Sequence, residues 1–292
     1  MQHWQHFTPM TVAQILDRTF TLYRNNFLRF ITIVALVYIP VALVSTTVMA
    51  TLVVYFGEEL EAFQRPGYQG EALPLDVLMQ VAAISYATLI FMQLGQEFSK
   101  ASLAKGVSDS YLGKEATVGG AMKALLMRGA FVLIAFIVVG IVVAVGSAFC
   151  IVPGIIFGIW FSLTTQIIVV EKLGPFAAMS RSKQLLSGNM LRAFGLLALL
   201  WIFAFIVVVI AFGQLGQQIG SAALPDHRVE QVIVGHLSQA IGQILVMPVV
   251  SIAMILFYYD LRIRKEGFDL QILAQTLSTQ GTPADDQPSA QL

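Results

Sequence analysis

Histidine, cysteine and the acids are where chemistry would start in this chain, and none of them falls into a working pattern. His3 and His6 have the spacing of a metal pair, but they lie in a terminus expected to fray and have no third ligand nearby. His227 stands beside Asp226 and Glu230 in a polar stretch that reads as a solvated loop. His236 lies near the end of an apolar run, where water can satisfy an imidazole. No serine, histidine and acid are spaced as a nucleophilic triad, and no glycine loop of the phosphate-cradling kind is present. The single cysteine, Cys150, excludes an internal disulfide framework and a multi-cysteine metal centre; it is expected to be a small buried hydrophobe. No catalytic residue, metal or cofactor is expected, and the chain is not read as an enzyme.

Ion or proton transport would call for ionisable groups inside apolar stretches. There are few: Glu97 and Asp76 at the ends of one stretch, and His236 near the end of another. Uncharged polar residues are commoner, among them Ser85, Thr88, Gln93 and Gln96, then Thr164, Thr165 and Gln166, then Gln214, Gln217, Gln218, Gln239 and Gln243. These could line a small cavity, but hydrogen bonds between helices are their commoner use. Gly154-x-x-x-Gly158 and Gly216-x-x-x-Gly220 likewise read as close helix contacts.

The elements that carry these residues are set by composition. Of 292 residues, 57% are hydrophobic and 12% charged, against roughly 25% charged in soluble domains. A core of this length cannot hide so much apolar surface, so lipid must cover it. Zero net charge gives no reason to expect a nucleic-acid partner. Apolar runs predict six spans at about 27–56, 75–97, 130–150, 154–170, 193–213 and 231–259, each near the roughly 20 residues a span needs. The long run from Ala130 to Val170 must double back, and Pro153-Gly154 is the expected turn. Residues 271–292 are polar and read as a disordered tail. No cleavable signal is expected ahead of the first run, which is expected to serve as its own insertion signal.

Fifteen of the seventeen lysines and arginines fall in one alternating set of connections; only Arg65 and Arg228 fall in the other. The positive-inside rule then places both termini in the cytoplasm, with the chain in a bacterial inner membrane. An amphipathic helix is expected before the first span: Val12, Ile15, Leu16, Phe20 and Tyr23 share one face, with Thr8 as N-cap and Pro9 opening the helix. It could lie among headgroups or pack on the protein's own face. A second such helix opens at Gly174-Pro175, and a weaker third covers about Thr117 to Arg128. Arg18, Leu22, Asn26, Leu28 and Arg29 match Arg181, Leu185, Asn189, Leu191 and Arg192 at an offset of 163, which suggests a parallel internal repeat. The predicted fold is therefore all-α: six transmembrane helices in three hairpins, each preceded by a cytoplasmic amphipathic helix.

A cytoplasmic cluster is the candidate functional or structural site: Arg18, Glu171, Pro175, Arg181, Ser182, Tyr259, Asp260, Arg262, Arg264, Glu266, Gly267 and Asp269. Basic side chains beside a bilayer attract anionic lipid, by about 1 kcal/mol each near the surface. Acids interleave so closely here that internal pairing is favoured for Arg262 and Arg264, and Asp260 or Glu266 is expected to pair with Arg181.

Several stretches resemble the glycerophosphoryl diester phosphodiesterase membrane domain family. They are Ile15 to Phe27, Tyr111-Leu112-Gly113-Lys114, Val152-Pro153-Gly154 with Val169 to Ser182, and above all Tyr258 to Leu270. The resemblance covers about residues 10 to 270 and implies a stand-alone membrane domain. The soluble phosphodiesterase barrel of some relatives would need about 250 residues more, so that activity is not carried over. The function expected is a scaffold or accessory factor in envelope or lipid homeostasis, contacting lipid headgroups, anionic ones included. A transporter or channel for a small or lipid-like solute is the alternative.

Overall fold

The computed structural model describes residues 9–64 and 74–267, and these are helical throughout with short connections. The helices are α1 Val12–Asn25, α2 Phe27–Gln64, α3 Leu75–Tyr111, α4 Val118–Phe149, α5 Ile151–Trp160, α6 Thr164–Val170, α7 Pro175–Leu186, α8 Met190–Ala204, α9 Gln214–Ala223 and α10 Arg228–Glu266. A π-helical segment, Phe205–Gly213, joins α8 to α9. Six units are long and apolar enough to cross a membrane: α2 to Gly57, α3, α4, α5 with α6, α8 through α9, and α10. Large apolar side chains stand exposed along them, such as Leu78, Leu89, Ile137 and Ile206. In water such a surface would aggregate; in a bilayer it is the outer wall. The chain is a multi-pass membrane protein. The expected tail, like His3, His6, Thr8, Arg65 and Asp269, lies outside the described residues.

Helix α10 is the axis of the molecule. In its most apolar window 67% of residues are buried, against 6% for α3. It packs on α2, α3, α9 and the π segment, and also on α1, α7 and α8, so the hairpins are not independent units. Its 39 residues run about 58 Å, nearly twice the roughly 30 Å hydrocarbon core. Its last turns therefore stand beyond the core, at the end of the molecule shared by α1, α7 and the α3–α4 turn. This is called the basic end below.

Four details differ from the sequence reading. Helix α1 is capped by Thr11, not Thr8, through a capping box with Gln14, and Pro9 precedes the helix. The third entry helix is no separate element, because α4 runs unbroken from Val118 into its span. The α4–α5 turn is made at Cys150, whose backbone is extended (φ −167°, ψ 148°); Cys150 is exposed, not buried. Pro153 sits in the first turn of α5, where its missing N–H leaves no helical bond unmade. Glycine serves this turn by close approach: a Cβ on Gly146 would lie 2.7 Å from the Phe157 ring. Gly216 and Gly220 lie against α10 in the same way, whereas a Cβ on Gly158 would meet nothing within 4 Å.

The fourth span is interrupted. Helix α5 stops at Trp160, and α6 restarts at Thr164 after a three-residue turn. Backbone groups freed inside a membrane must find partners, and Ser182 of α7 supplies one for each side of the break. Its hydroxyl donates to the Trp160 carbonyl at 2.6 Å and accepts from the Leu163 N–H at 3.3 Å.

Candidate functional site

The Asp260 carboxylate is the hub of the basic end. Asp260 is 0% exposed. Its Oδ1 accepts the Met10 N–H at 2.6 Å, its Oδ2 accepts Arg192 Nη1 at 2.6 Å, and Arg264 Nε lies 3.0 Å from Oδ2. Both guanidiniums also donate to the Met10 carbonyl, Arg264 Nη2 at 3.0 Å. One side chain thus ties the segment before α1, the start of α8 and the last turns of α10. Burying a carboxylate alone is prohibitive; two guanidiniums and a backbone N–H make it tolerable.

A second ring of charge lies beside it. Arg181 on α7 donates to Glu171 at 3.1 Å and pairs with Glu266 at 2.5 Å. Glu266 also accepts from Arg262 at 3.1 Å. The Tyr258 hydroxyl donates to Glu171 at 2.8 Å and accepts from Arg262 at 3.3 Å. The bond to Glu266 holds the Arg181 guanidinium above the usual arginine range; partial burial opposes this and Glu171 reinforces it. Glu171 reaches its place through a tight turn in which Lys172 adopts φ 58°. Gly174 caps α7 and Pro175 opens it, where no helical N–H is needed.

The remaining residues secure the edges. Tyr259 shares a 2.6 Å hydrogen bond with Ser108 and stacks on Tyr111 at 5.0 Å, and Tyr111 is hydrogen-bonded to Arg18. Lys265 donates to the Gln184 and Ser187 carbonyls at 2.6 and 2.5 Å, a cation on the last carbonyls of α7. Gly267 ends α10 in the left-handed region (φ 58°, ψ 42°) that glycine adopts without strain.

The structure therefore brings together Arg18, Glu171, Arg181, Tyr259, Asp260, Arg262, Arg264 and Glu266. Pro175 and Gly267 act as helix ends, and Ser182 serves the break in the fourth span. Arg181 meets Glu266, while Asp260 pairs with Arg192 and Arg264. Arg192, Met10 and Tyr258 were not among the site residues expected from the sequence, although Arg192 appeared in the repeat and Tyr258 in the motif at the end of the last span. Arg192 is the repeat-mate of Arg29, but Arg29 makes only an exposed 3.0 Å pair with Glu115, so the repeat gave no hint of a buried role. Chemically the assembly is a clasp: its donors and acceptors are spent on one another. His227 lies 3.6 Å from Glu230, both exposed, and His236 lines an open glutamine-rich hollow with Gln214, Gln217, Gln218 and Gln239. Among the described residues no group of three or more His, Cys, Asp or Glu could hold a metal.

Comparison with known proteins corrects the resemblance noted above. The family model that matches is a domain of unknown function (DUF7847), over residues 107–261. This stretch includes Tyr111, Glu171, Arg181, Ser182, Arg192 and Asp260. A UPF0259 membrane protein of Pectobacterium carotovorum subsp. carotovorum is 27% identical over 150 residues, 51% of this chain and 56% of that protein. The chain thus matches about half the length of this curated relative. No solved structure matches. Nothing found indicates the glycerophosphoryl diester phosphodiesterase membrane domain family. Of the motif that carried that resemblance most clearly, Tyr258 to Leu270, the charged and tyrosine residues as far as Glu266 are accounted for by the clasp; short charged runs after an apolar span arise wherever a helix must be anchored at a membrane surface.

Proposed function

This chain belongs to the DUF7847 family, and on that premise we propose that it is a non-enzymatic scaffold or accessory factor in envelope or lipid homeostasis. It sits in the bacterial inner membrane with both termini in the cytoplasm and contacts lipid headgroups at its basic end. One observation carries the reading. The carboxylates of Glu171, Asp260 and Glu266 turn inward onto arginines, whereas Lys114, Lys123, Lys172 and Lys183 stand at the surface. Leu126, Phe176 and Leu191, 67% to 85% exposed, lie on the same end. Outward lysines beside exposed apolar side chains suit a headgroup layer with anionic lipid. The test is lipid retention by native mass spectrometry after purification from vesicles of equimolar phosphatidylethanolamine and phosphatidylglycerol. Lys114→Gln, Lys123→Gln and Lys183→Gln together should strip the phosphatidylglycerol adducts; their survival would overturn the reading. A second reading, a transporter or channel for a small or lipid-like solute, is favoured by the interrupted fourth span, since unwound backbone within a membrane often lines a cavity. In reconstituted vesicles a scaffold leaves transbilayer exchange of a fluorescent phospholipid at the protein-free rate, and acceleration would favour the second reading.

A further inference from the structure

Beside the break in the fourth span lies a half-enclosed cavity of about 380 Å³, between α3, α4, α5–α6, α8 and α10. At one end of it Glu97 and Lys100 form a 2.6 Å ion pair, and the Thr165 hydroxyl donates to the second Glu97 oxygen at 2.7 Å. Ser162, Thr164 and Ser251 are also among the residues around it, and their hydroxyls are buried with no partner among the described residues. Thr164 is 3% exposed and Ser251 2%. This departs from the habit of the chain. Thr32, Thr47, Thr51, Thr88 and Ser99 each donate to the carbonyl four residues back, the usual way a helical hydroxyl is satisfied in lipid. Three buried hydroxyls left unpaired beside one cavity are costly, and they are more than helix cross-linking needs.

The cavity is graded in polarity. Leu75 to Gln96 of α3 is long enough to fill the hydrocarbon core, so Glu97 and Lys100 stand at its border on the basic side. Phe136, Val139 and Val143 form a stripe that runs from there along α4 toward the far end, faced by Leu197 and Met254. Gly140 and Gly158 line the same space, and a Cβ on either would meet nothing within 4 Å. A carboxylate next to an ammonium favours neither an anion nor a cation by net charge; it is complementary to a group carrying both signs.

We propose that this cavity binds one membrane phospholipid with a zwitterionic ammonium–phosphate headgroup. The ligand's ammonium faces Glu97 and its phosphate faces Lys100. The Ser162, Thr164 and Ser251 side chains rotate on binding to bring their buried hydroxyls onto phosphate or ester oxygens, and a stretch of one acyl chain lies along the α4 stripe. The volume is at the low end of the roughly 300–1,000 Å³ typical of ligand pockets, so the rest of the lipid stays in the bilayer. This inference stands apart from the headgroup surface proposed above, whose lysines are elsewhere.

The test uses the full chain purified from vesicles of equimolar phosphatidylethanolamine and phosphatidylglycerol, with native mass spectrometry of retained lipid. Gly158→Leu fills the cavity and should remove bound phosphatidylethanolamine while phosphatidylglycerol adducts at the surface persist. Thr164→Val with Ser251→Ala replaces unpaired hydroxyls by apolar atoms of similar size. It should lower phosphatidylethanolamine occupancy about tenfold and at the same time raise the melting temperature of the delipidated protein. This pair carries the test if Gly158→Leu does not fold. Unchanged phosphatidylethanolamine retention in either variant overturns the proposal. Excess soluble phosphoethanolamine should leave the lipid in place; if it displaces the lipid, the site belongs to a soluble zwitterion and the proposal fails.

Discussion

Asp260→Asn is the sharpest probe of the clasp, because it keeps the side-chain volume and removes the charge. In the wild type the carboxylate answers the Met10 N–H and two guanidiniums. An amide offers one acceptor oxygen and turns an NH₂ toward groups that only donate, so at least one of these donors, the Met10 N–H or a guanidinium, loses its bond to residue 260. Removing one member of a buried pair costs about 3–5 kcal/mol. Asp260 is fully buried, while the Arg192 side chain is 21% exposed and Arg264 37%, so water recovers part of the loss. The expected cost is at the low end, about 3 kcal/mol. Glu115→Gln is the control. Its pair with Arg29 is 80% and 49% exposed, and its loss should cost under about 1 kcal/mol. Thermal unfolding in mild detergent, followed by helical circular dichroism, compares the two. At about 2–4 °C per kcal/mol for chains of roughly this size, Asp260→Asn should melt about 6–12 °C below wild type and Glu115→Gln within a few degrees of it. Hydrogen exchange should rise over α1, which is tied down through Met10. Equal melting of the two variants would show that the buried carboxylate does not hold the basic end together.

Other consequences can be checked directly. In double-mutant cycles Arg181→Ala and Glu266→Ala should couple by more than about 1 kcal/mol, whereas Arg181→Ala and Asp260→Ala, which share no contact, should be nearly additive. Cysteine at Asp226 should react with an impermeant thiol reagent in intact cells and cysteine at Lys114 or Lys183 should not; the reverse pattern would invert the proposed orientation. Burial pushes the Tyr23 hydroxyl up to about 12, so its neutral form is favoured in the folded state. That contribution is complete below about pH 10 and is lost as pH rises toward 12. Tyr23→Phe should flatten the alkaline decline of stability in that window; an unchanged decline would assign it to other groups.

What could be read from the sequence was what is encoded locally. Six spans follow from runs of apolar residues, because a hydrocarbon core tests each helix segment separately. The finer boundaries failed where two local rules competed. Pro153-Gly154 looks like a turn, yet proline is harmless in a first helical turn, and the chain reverses at Cys150 instead. Thr8-Pro9 resembles a helix start, but Thr11 has Gln14 three residues on, the stronger capping signal. The segment from Thr117 reads as a separate amphipathic helix only until it is seen to join α4 without a break. The clasp was partly visible, since Arg181, Arg262, Arg264 and the acids among them stand out as charges at a span's end. Its hub was not. Asp260 meets Arg192 across 68 positions and Met10 across 250, and no periodicity in a helix reports which distant cation a buried carboxylate will choose.

The same limit explains why the sequence could not say which polar residues cross-link helices and which stand beside a cavity. Helix cross-linking accounts for Ser182, which closes the break in the fourth span, and for the Thr165 bond to Glu97. It does not account for Ser162, Thr164 or Ser251, and nothing in their types separates them from Thr47 or Ser99, which bond to their own helices. The difference is tertiary. Between the clasp and the cavity, α7 holds the broken span by Ser182 and holds α10 by Arg181 and Lys265. Parting Arg181 from Glu266 would remove one of the ties that fix the helix closing the backbone gap next to the cavity. The clasp is thus placed to fix the geometry of the cavity wall, and a variant that weakens the first should widen the ligand preference of the second.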